Sequence, residues 1–175
     1  MHYGQIFKAD TANGVGMRVS LFVSGCTNHC EGCFQPETWD FNYGLPYTKE
    51  TEDLIVNEVA KPFYEGLTVL GGEPMEPENQ EEVMKLVKRV RKEAPEKTIW
   101  IYSGFTYEKD LYKGCRKYTE FTDGILDNID IMVDGKFVLA QKNITLNFRG
   151  SENQRIIDMK ATREKGEVVL SPLND

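Results

Sequence analysis

The stretch MRVSLFVSGCTNHCEGCF, residues 17–34, joins an apolar run directly to a loop that contains three cysteines. Residues 17–25 are rich in β-forming side chains and end in small ones, which predicts a buried strand. Cys26, Cys30 and Cys33 follow with C-x3-C-x2-C spacing, whereas the fourth cysteine, Cys115, lies far downstream. Three thiols are therefore expected at the C-terminal end of a strand, the edge where parallel α/β sheets and barrels place their sites.

Beyond this loop, helical and strand patterns alternate along the chain. Helical spacing of apolar residues covers residues 48–66, with Thr48 as N-cap and a stripe of Leu54, Ile55 and Val59, and residues 76–95. Apolar strand patterns cover residues 67–71, 98–104 and 129–135, with a helical stretch expected at about residues 107–113. This alternation predicts an α/β fold with a mostly parallel sheet.

The length of the chain limits how far such a sheet can close. A complete (βα)8 barrel typically needs about 250 residues, whereas this chain has 175. We therefore expect an open sheet or partial (βα) barrel, shorter than a full TIM barrel, in a single domain that covers residues 1–175. In its C-terminal part, residues 136–141, 143–148 and 154–159 are interpreted as short strands, residues 166–172 close the chain, and no long C-terminal helix is expected.

Charge and hydropathy exclude several classes of partner. The formal net charge is -7, which argues against a nucleic-acid binder because such proteins carry a basic face. No segment approaches the roughly 18 apolar residues of a membrane span, and the N-terminus lacks a basic start followed by an apolar run. A cytoplasmic protein is therefore expected, and clustered cysteines in a reducing compartment are more often metal ligands than disulfides.

The cysteine loop offers three thiolates, and this number separates the possible metal sites. Structural zinc normally takes four protein ligands, so a zinc site would need His29 or Cys115 as the fourth. A ferredoxin loop gives every iron of a [4Fe-4S] cluster a thiolate. Three thiolates on such a cluster would leave one iron open to substrate, which is the mark of a catalytic metal site. His29 is interpreted as a residue that shapes the loop, and Cys115 as a free thiol.

The segment Gly71, Gly72 and Glu73 follows the second predicted strand. Paired glycines permit close approach of the backbone, and Glu73 could accept a hydrogen bond from an ammonium group. The alternative is an ordinary turn with a surface glutamate. Four residues each lie at the C-terminal end of a predicted strand and are expected to meet at one rim: Cys26, Gly71, Ser103 and Asp134.

The cysteine spacing after a first strand resembles that of the radical S-adenosylmethionine (SAM) superfamily, and VLGGEP, residues 69–74, resembles its glycine-glycine-glutamate motif. Within the superfamily, five segments resemble the activating proteins of anaerobic ribonucleoside-triphosphate reductase: NGVGMRVSLFVSGC (13–26), CEGCFQPETW (30–39), IYSGFTYE (101–108), IDIMVDGKF (129–137) and GSENQRIID (150–158). Val15 and Gln35 depart from the residues usual in that family, although neither is a cysteine of the loop.

The resemblance implies an oxidoreductase with a [4Fe-4S] cluster held by Cys26, Cys30 and Cys33. It implies SAM binding along Gly32, Cys33 and Phe34, with Gly71, Gly72 and Glu73 at the methionine end and Ser103 as a further contact. A reduced cluster would cleave SAM, and the resulting radical would take a hydrogen atom from a glycine of the large catalytic subunit of the reductase. An electron donor such as a flavodoxin is implied, and no side chain is required as a general acid or base.

Some alternatives stay open at this point. The substrate could be another glycyl-radical protein or a small molecule, or the chain could be a zinc-stabilised or electron-carrying module without catalysis. Ser103 could cap a turn, and Asp134 with Gly135 could form a hairpin turn rather than contact a ligand. Arg18 and Arg155 could bind a carboxylate or form ion pairs, while Trp39 and Trp100 are interpreted mainly as packing residues.

Overall fold

The computed structural model describes residues 1–175 and contains one seven-stranded sheet with four α-helices. In chain order the strands are β1 (His2–Asp10), β2 (Arg18–Val23), β3 (Leu45–Pro46), β4 (Gly66–Gly71), β5 (Thr98–Tyr102), β6 (Ile131–Asp134) and β7 (Arg155–Asp158). The helices are α1 (Lys49–Val59), α2 (Pro77–Glu93), α3 (Thr122–Leu126) and α4 (Met159–Lys165). A single π-helical turn, Tyr107–Leu111, lies within the predicted helical stretch at 107–113.

The strand order across the sheet is β3-β1-β2-β4-β5-β6-β7, so β3 and β7 are its two edge strands and the sheet is open. The four strands β2, β4, β5 and β6 run parallel to one another. The other three pairings, β1 with β2, β1 with β3 and β6 with β7, are antiparallel. The α/β class is therefore confirmed, whereas a mostly parallel sheet is correct only for the four central strands. The partial-barrel form stays a prediction.

Strands β1 and β3 were not predicted, and their exposure explains why. Most side chains of β1 are exposed or only partly buried, and both residues of β3 are exposed. A strand that buries little apolar surface has no continuous apolar run to mark it. These two strands extend the sheet beyond β2 and cover its otherwise free edge.

The two long helices begin and pack largely as their sequences indicate. Thr48 caps α1, and its side chain and that of Thr51 form a reciprocal capping box. The buried face of α1 is Ile55, Val56 and Val59. Leu54, predicted as part of this stripe, is exposed, because Val56 takes the inward position instead. The predicted face of α2 is fully buried: Val83, Leu86, Val87 and Val90.

The C-terminal part of the chain is less regular than predicted. Residues 154–159 include β7, but residues 136–141 and 143–148 form no strand, and residues 139–141 form a short 3-10 turn. These residues cannot extend the sheet beside β6, because β7 already pairs with that edge. Phe137 packs near Phe34, and Phe148 packs edge-on against Trp100. Helix α4 is short, as expected, and no helix of the structure is both long and apolar enough to cross a membrane.

Candidate metal and cofactor site

Backbone hydrogen bonds fasten the end of β4 to the start of the cysteine loop. The Gly72 N–H donates to the Val23 carbonyl at 2.8 Å, and the Glu73 N–H donates to the Gly25 carbonyl at 2.8 Å. The Gly25 N–H in turn donates to the Thr38 carbonyl at 2.7 Å, in the short helical turn that follows the loop. The glycine-glycine-glutamate segment and both ends of the cysteine loop therefore form one hydrogen-bonded unit.

The two glycines of this segment are required for different reasons. Gly71 has a positive φ of 113°, a conformation that side chains strongly disfavour. Gly72 has no such backbone constraint, but a Cβ added there would lie 2.8 Å from the Gly25 oxygen and 2.9 Å from the Thr38 oxygen. The predicted close approach of the backbone therefore exists, and it is made to the cysteine loop itself.

A cavity of about 540 Å³ opens over the C-terminal ends of the parallel strands. This volume lies within the range of roughly 300–1,000 Å³ found for small-molecule sites. Eight of the predicted site residues line it: Cys26, Cys30, Cys33, Phe34, Gly71, Gly72, Glu73 and Ser103. Gly32 does not line the cavity and instead packs close to Leu139 and Phe137. The predicted rim is thus formed by the ends of β2, β4 and β5.

The three loop cysteines are free thiols in different surroundings. Burial raises the pKa of Cys26 to about 11, although backbone N–H groups of Asn28 and His29 act in the opposite direction. Burial also raises the pKa of Cys30, against a hydrogen bond from the Phe137 backbone. The raised pKa values favour the protonated thiols. Coordination to iron would favour the thiolates instead, because a metal-bound thiol is deprotonated.

The donor set of the loop, three cysteine thiols, is of the type that binds iron-sulfur clusters. No group of three or more His, Cys, Asp or Glu side chains is close enough to hold one metal ion. In a cubane each thiolate binds its own iron, so the sulfur atoms need not converge on one point. His29 has a positive φ of 45° and its ring stacks on Trp39 at 4.4 Å between centroids, which agrees with a residue that shapes the loop.

Cys115 does not line the cavity. It follows the π-helical turn, and its Sγ lies 3.8 Å from the Glu108 carbonyl oxygen. Trp39 lines the cavity wall, whereas Trp100 is buried against Phe148. Trp100 therefore has the packing role that was predicted for it, whereas Trp39 also faces the cavity.

Glu73 is buried and its carboxylate already accepts four hydrogen bonds from the protein. Its Oε1 accepts from the Gly104 N–H at 2.6 Å and from Asn28 Nδ2 at 3.2 Å. Its Oε2 accepts from the Ser103 hydroxyl at 2.8 Å and from the Met75 N–H at 2.9 Å. Burial raises the pKa of Glu73 to about 7, although these hydrogen bonds oppose the shift. A carboxylate has about four acceptor positions, so Glu73 is not the surface glutamate of an ordinary turn.

Two neighbouring side chains at the end of β5 differ in how their polar atoms are used. The Ser103 hydroxyl donates to Glu73 and accepts from the Phe105 N–H at 3.1 Å, which makes it a turn residue as well as part of the cavity wall. The Tyr102 hydroxyl is buried and has no hydrogen-bond partner, although Tyr102 lines the same cavity. Buried polar atoms are normally paired, so this unpaired hydroxyl fits a cavity that holds a polar ligand.

Asp134 and Arg155 form an ion pair across the antiparallel strands β6 and β7. Arg155 donates to both oxygens of Asp134 at 2.9 and 2.6 Å and to both oxygens of Glu108 at 3.1 and 2.6 Å. Asp134 also accepts from the Tyr107 N–H at 2.8 Å. Asp134 therefore has a structural role, and its neighbours Val133 and Gly135 line the cavity instead. The alternative of a tight hairpin turn at residues 134–135 is wrong, because the partner strand β7 begins at Arg155, twenty residues after Gly135.

Arg18 is fully buried and forms no ion pair within salt-bridge distance. Its guanidinium donates five hydrogen bonds, to the side chains of Thr68 and Thr98 and to the carbonyls of Val15, Leu67 and Thr98. Burial lowers the pKa of Arg18 to about 10. Arg18 was considered as a carboxylate-binding residue or as part of an ion pair. In the structure it instead joins β2, β4 and β5 through these hydrogen bonds.

Several residues of the site could not be predicted from the sequence. Asn28 and Thr27 bind the buried carboxylates of Glu73 and Glu76, and residues 142–144, 146 and 148–150 form a wall of the cavity. One of these interactions has a local signal in the sequence. Glu76 precedes Pro77 at the start of α2, a position that usually holds Ser, Thr, Asp or Asn, so a glutamate there indicates a contact outside the helix. No local sequence pattern marked residues 142–150 as a cavity wall, and most of them were interpreted as short strands.

Comparison with known proteins adds independent findings. A family model described as a 4Fe-4S single cluster domain matches residues 12–157. The chain is 40% identical over 156 residues to the anaerobic ribonucleoside-triphosphate reductase-activating protein of Escherichia coli strain K12, covering 88% of this chain and 96% of that protein. The proteins of the same name from Vibrio cholerae and Enterobacteria phage T4 are 39% and 37% identical over 158 residues, covering 89% of this chain and 97% and 93% of theirs. No solved structure matches the chain.

Proposed function

Because the chain belongs to the family of anaerobic ribonucleoside-triphosphate reductase-activating proteins and contains a 4Fe-4S single cluster domain, we propose that it is a radical SAM activase that generates a glycyl radical on such a reductase. The observation that carries the proposal is that the three thiols of the C-x3-C-x2-C loop and the Gly71-Gly72 turn line one cavity. The expected substrate is the large catalytic subunit of the reductase.

Cys26, Cys30 and Cys33 would hold the cluster, one thiolate to each of three irons. When bound, the cluster supplies one electron to SAM, whose cleavage provides the radical that removes a hydrogen atom from the substrate glycine. The burial of Cys26 supports this assignment, because a wall that excludes water and oxygen protects such chemistry. No general acid or base is assigned, since the chain's task is to bind, orient and shield.

The SAM contacts are proposed from the cavity wall. Cys33 and Phe34, with Gly32 directly before them, would border the adenine and the cluster, and Gly71 and Gly72 would border the methionine end. Support for the last assignment is that both glycines line the cavity beside the cysteine loop. The unpaired Tyr102 hydroxyl adds a polar group for which a bound ligand could provide the partner.

Glu73 and Ser103 are proposed to act at the methionine end together. The hydrogen bonds that Glu73 accepts fix Ser103 and the Gly104 N–H beside the cavity. A direct hydrogen bond from the SAM amino group to Glu73 would require one of these donors to move. We therefore propose that Glu73 holds its neighbours in place, while Ser103, whose hydroxyl oxygen keeps one acceptor position, contacts the ligand.

The wider setting is also a proposal. All of these groups come from one sheet and its connections, which supports residues 1–175 acting as a single domain. The four free thiols support a reducing compartment such as the cytoplasm. A flavodoxin-like protein is proposed as the electron donor, because the chemistry needs a one-electron reductant at low potential.

The test is anaerobic reconstitution with iron and sulfide, followed by reduction and addition of SAM and the large subunit of an anaerobic ribonucleoside-triphosphate reductase. We expect methionine and 5'-deoxyadenosine, together with a glycyl radical signal in electron paramagnetic resonance (EPR). Both products and signal should be absent for Cys30→Ala and retained for Cys115→Ala. SAM cleavage that continues at the same rate when the radical glycine of the reductase is replaced would contradict the proposed substrate, and a colourless zinc protein would contradict the proposed chemistry.

A further inference from the structure

Glu76 is the N-cap residue of α2, but its side chain does not cap the helix. The residue is fully buried, and only its backbone carbonyl accepts from the first turn, from the N–H groups of Asn79 and Gln80. Short side chains are favoured at this position because they can reach the free N–H groups. A buried carboxylate here is costly unless it is paired and hydrogen-bonded, so the reason for Glu76 lies outside the helix.

The carboxylate of Glu76 joins the cysteine loop to a lysine from a distant turn. Its Oε2 accepts from the Thr27 N–H at 2.6 Å and from the Thr27 hydroxyl at 2.8 Å. Its Oε1 accepts from Lys117 Nζ at 3.0 Å. Hydrogen bonds to charged groups are roughly twice as strong as neutral ones, so Glu76 attaches the loop firmly to the start of α2.

Lys117 is itself held in place from several directions. Its N–H donates to the Asp110 carbonyl at 3.0 Å, and its carbonyl accepts from Gln80 Nε2 at 2.8 Å. Its ammonium group lies 5.1 Å from the centre of the Phe105 ring. The side chain is largely buried, with 16% of its surface exposed. The positive partner of Glu76 is therefore fixed before any ligand binds.

The Thr27 N–H belongs to the peptide group that directly follows Cys26, so fixing that peptide limits where the Cys26 thiol can point. The next residue, Asn28, is held by Glu73 at 3.2 Å. Two buried carboxylates, three residues apart, thus hold two consecutive residues between the first and second cysteines. We propose that Glu76, neutralised by Lys117, is a positioning residue that orients Cys26 for cluster binding; this inference rests on the proposed function.

The test compares Glu76→Ala with Glu78→Ala as a matched control. Glu78 lies in the same first turn of α2 but is exposed. Iron affinity is measured by competition with a chelator, the EPR spectrum of the reduced protein is recorded with and without SAM, and the melting temperature of the apoprotein is recorded. We expect Glu76→Ala to weaken cluster binding by about 10- to 100-fold, which is typical for loss of a group that orients a metal ligand, and to alter the spectrum. Glu78→Ala should match the wild type.

Glu76→Gln and Thr27→Val keep the proposal testable if Glu76→Ala folds poorly. Glutamine retains an oxygen that can accept from Thr27, so we expect it to restore most of the iron affinity. Thr27→Val removes only the hydroxyl, so we expect a smaller loss than in Glu76→Ala and no change in spectrum. The inference is overturned if folded Glu76→Ala binds iron and responds to SAM like Glu78→Ala, or, where Glu76→Ala does not fold, if Thr27→Val binds iron as tightly as Glu78→Ala. Failure of the wild type to bind a cluster would instead refute the proposed function.

Discussion

At the scale of single residues, the site depends on a close contact between two backbones. The sequence was sufficient to predict that Gly71 and Gly72 permit a close approach, because paired glycines beside a cysteine loop have few other uses. It could not identify the partners, the carbonyl groups of Gly25 and Thr38, because these lie 34 or more residues away along the chain. Gly72 is the better residue for a test, since its backbone conformation is open to other residues.

Gly72→Ala should therefore act through steric clash alone. The added methyl group would lie under 3.0 Å from two backbone oxygens, which cannot move as a flexible side chain can. We expect the free energy of unfolding to fall by roughly 1–3 kcal/mol, as for overpacked sites, and SAM affinity to fall at least about tenfold, because the loop and the turn separate.

Denaturant unfolding of the apoprotein and equilibrium binding of SAM to the reconstituted protein measure the two effects. Gly124→Ala is the matched control, because its methyl group would meet only the flexible side chains of Met84 and Lys88. Equal SAM affinity in the two variants would show that the contact at Gly72 does not matter for binding.

Glu73 shows a further limit of reasoning from single residues. The motif indicated an acceptor for a ligand, whereas the carboxylate is saturated by donors from three segments of the protein. Ser103 and Asn28 lie 30 and 45 residues away in sequence. Hydrogen bonds over such separations depend on the strand order, which no local pattern contains.

At the scale of elements, strong periodicity was a reliable guide and weak periodicity was not. The buried face of α2 and the strands β2, β4, β5 and β6 follow their apolar patterns, because those elements are buried on at least one face. Residues 136–148 have apolar residues at similar density but form no strand, since the edge of β6 is taken by β7. The antiparallel return of β7 is fixed instead by Arg155, which joins it to Asp134 on β6 and to Glu108 in the π-helical turn.

Glu108→Gln tests this ion-pair network through its pH dependence. Hydrogen bonds from Arg155 lower the pKa of Glu108 below its ordinary value of 4.5. A carboxylate with a lowered pKa stabilises the fold above its unfolded pKa, and this stabilisation is lost as the pH falls through the folded value. We therefore expect the wild type to exceed Glu108→Gln in melting temperature at pH 7, with a difference that shrinks as the pH falls from about 4.5 towards 3. A difference that stays constant over this range would contradict the assignment.

At the scale of the whole molecule, one edge of one open sheet brings the chemistry together. The ends of β2, β4 and β5 supply the cysteine loop, the paired glycines and Ser103, and the irregular segment after β6 completes the cavity wall. This convergence was predictable, because the C-terminal ends of parallel strands meet at one edge. Strands β1 and β3 were not predictable, since they bury little apolar surface. For β7 the strand was predicted, but its antiparallel pairing with β6 was not.

The central claim is that three thiolates hold the cluster and leave one iron free for SAM. The most direct measurement is the EPR spectrum of the reduced, reconstituted protein before and after addition of SAM, for the wild type and for Cys115→Ser. We predict that SAM changes the spectrum in the same way in both proteins, because Cys115 lies outside the cavity. A spectrum that SAM leaves unchanged in the wild type, or that responds to SAM only after Cys115 is replaced, would contradict the account.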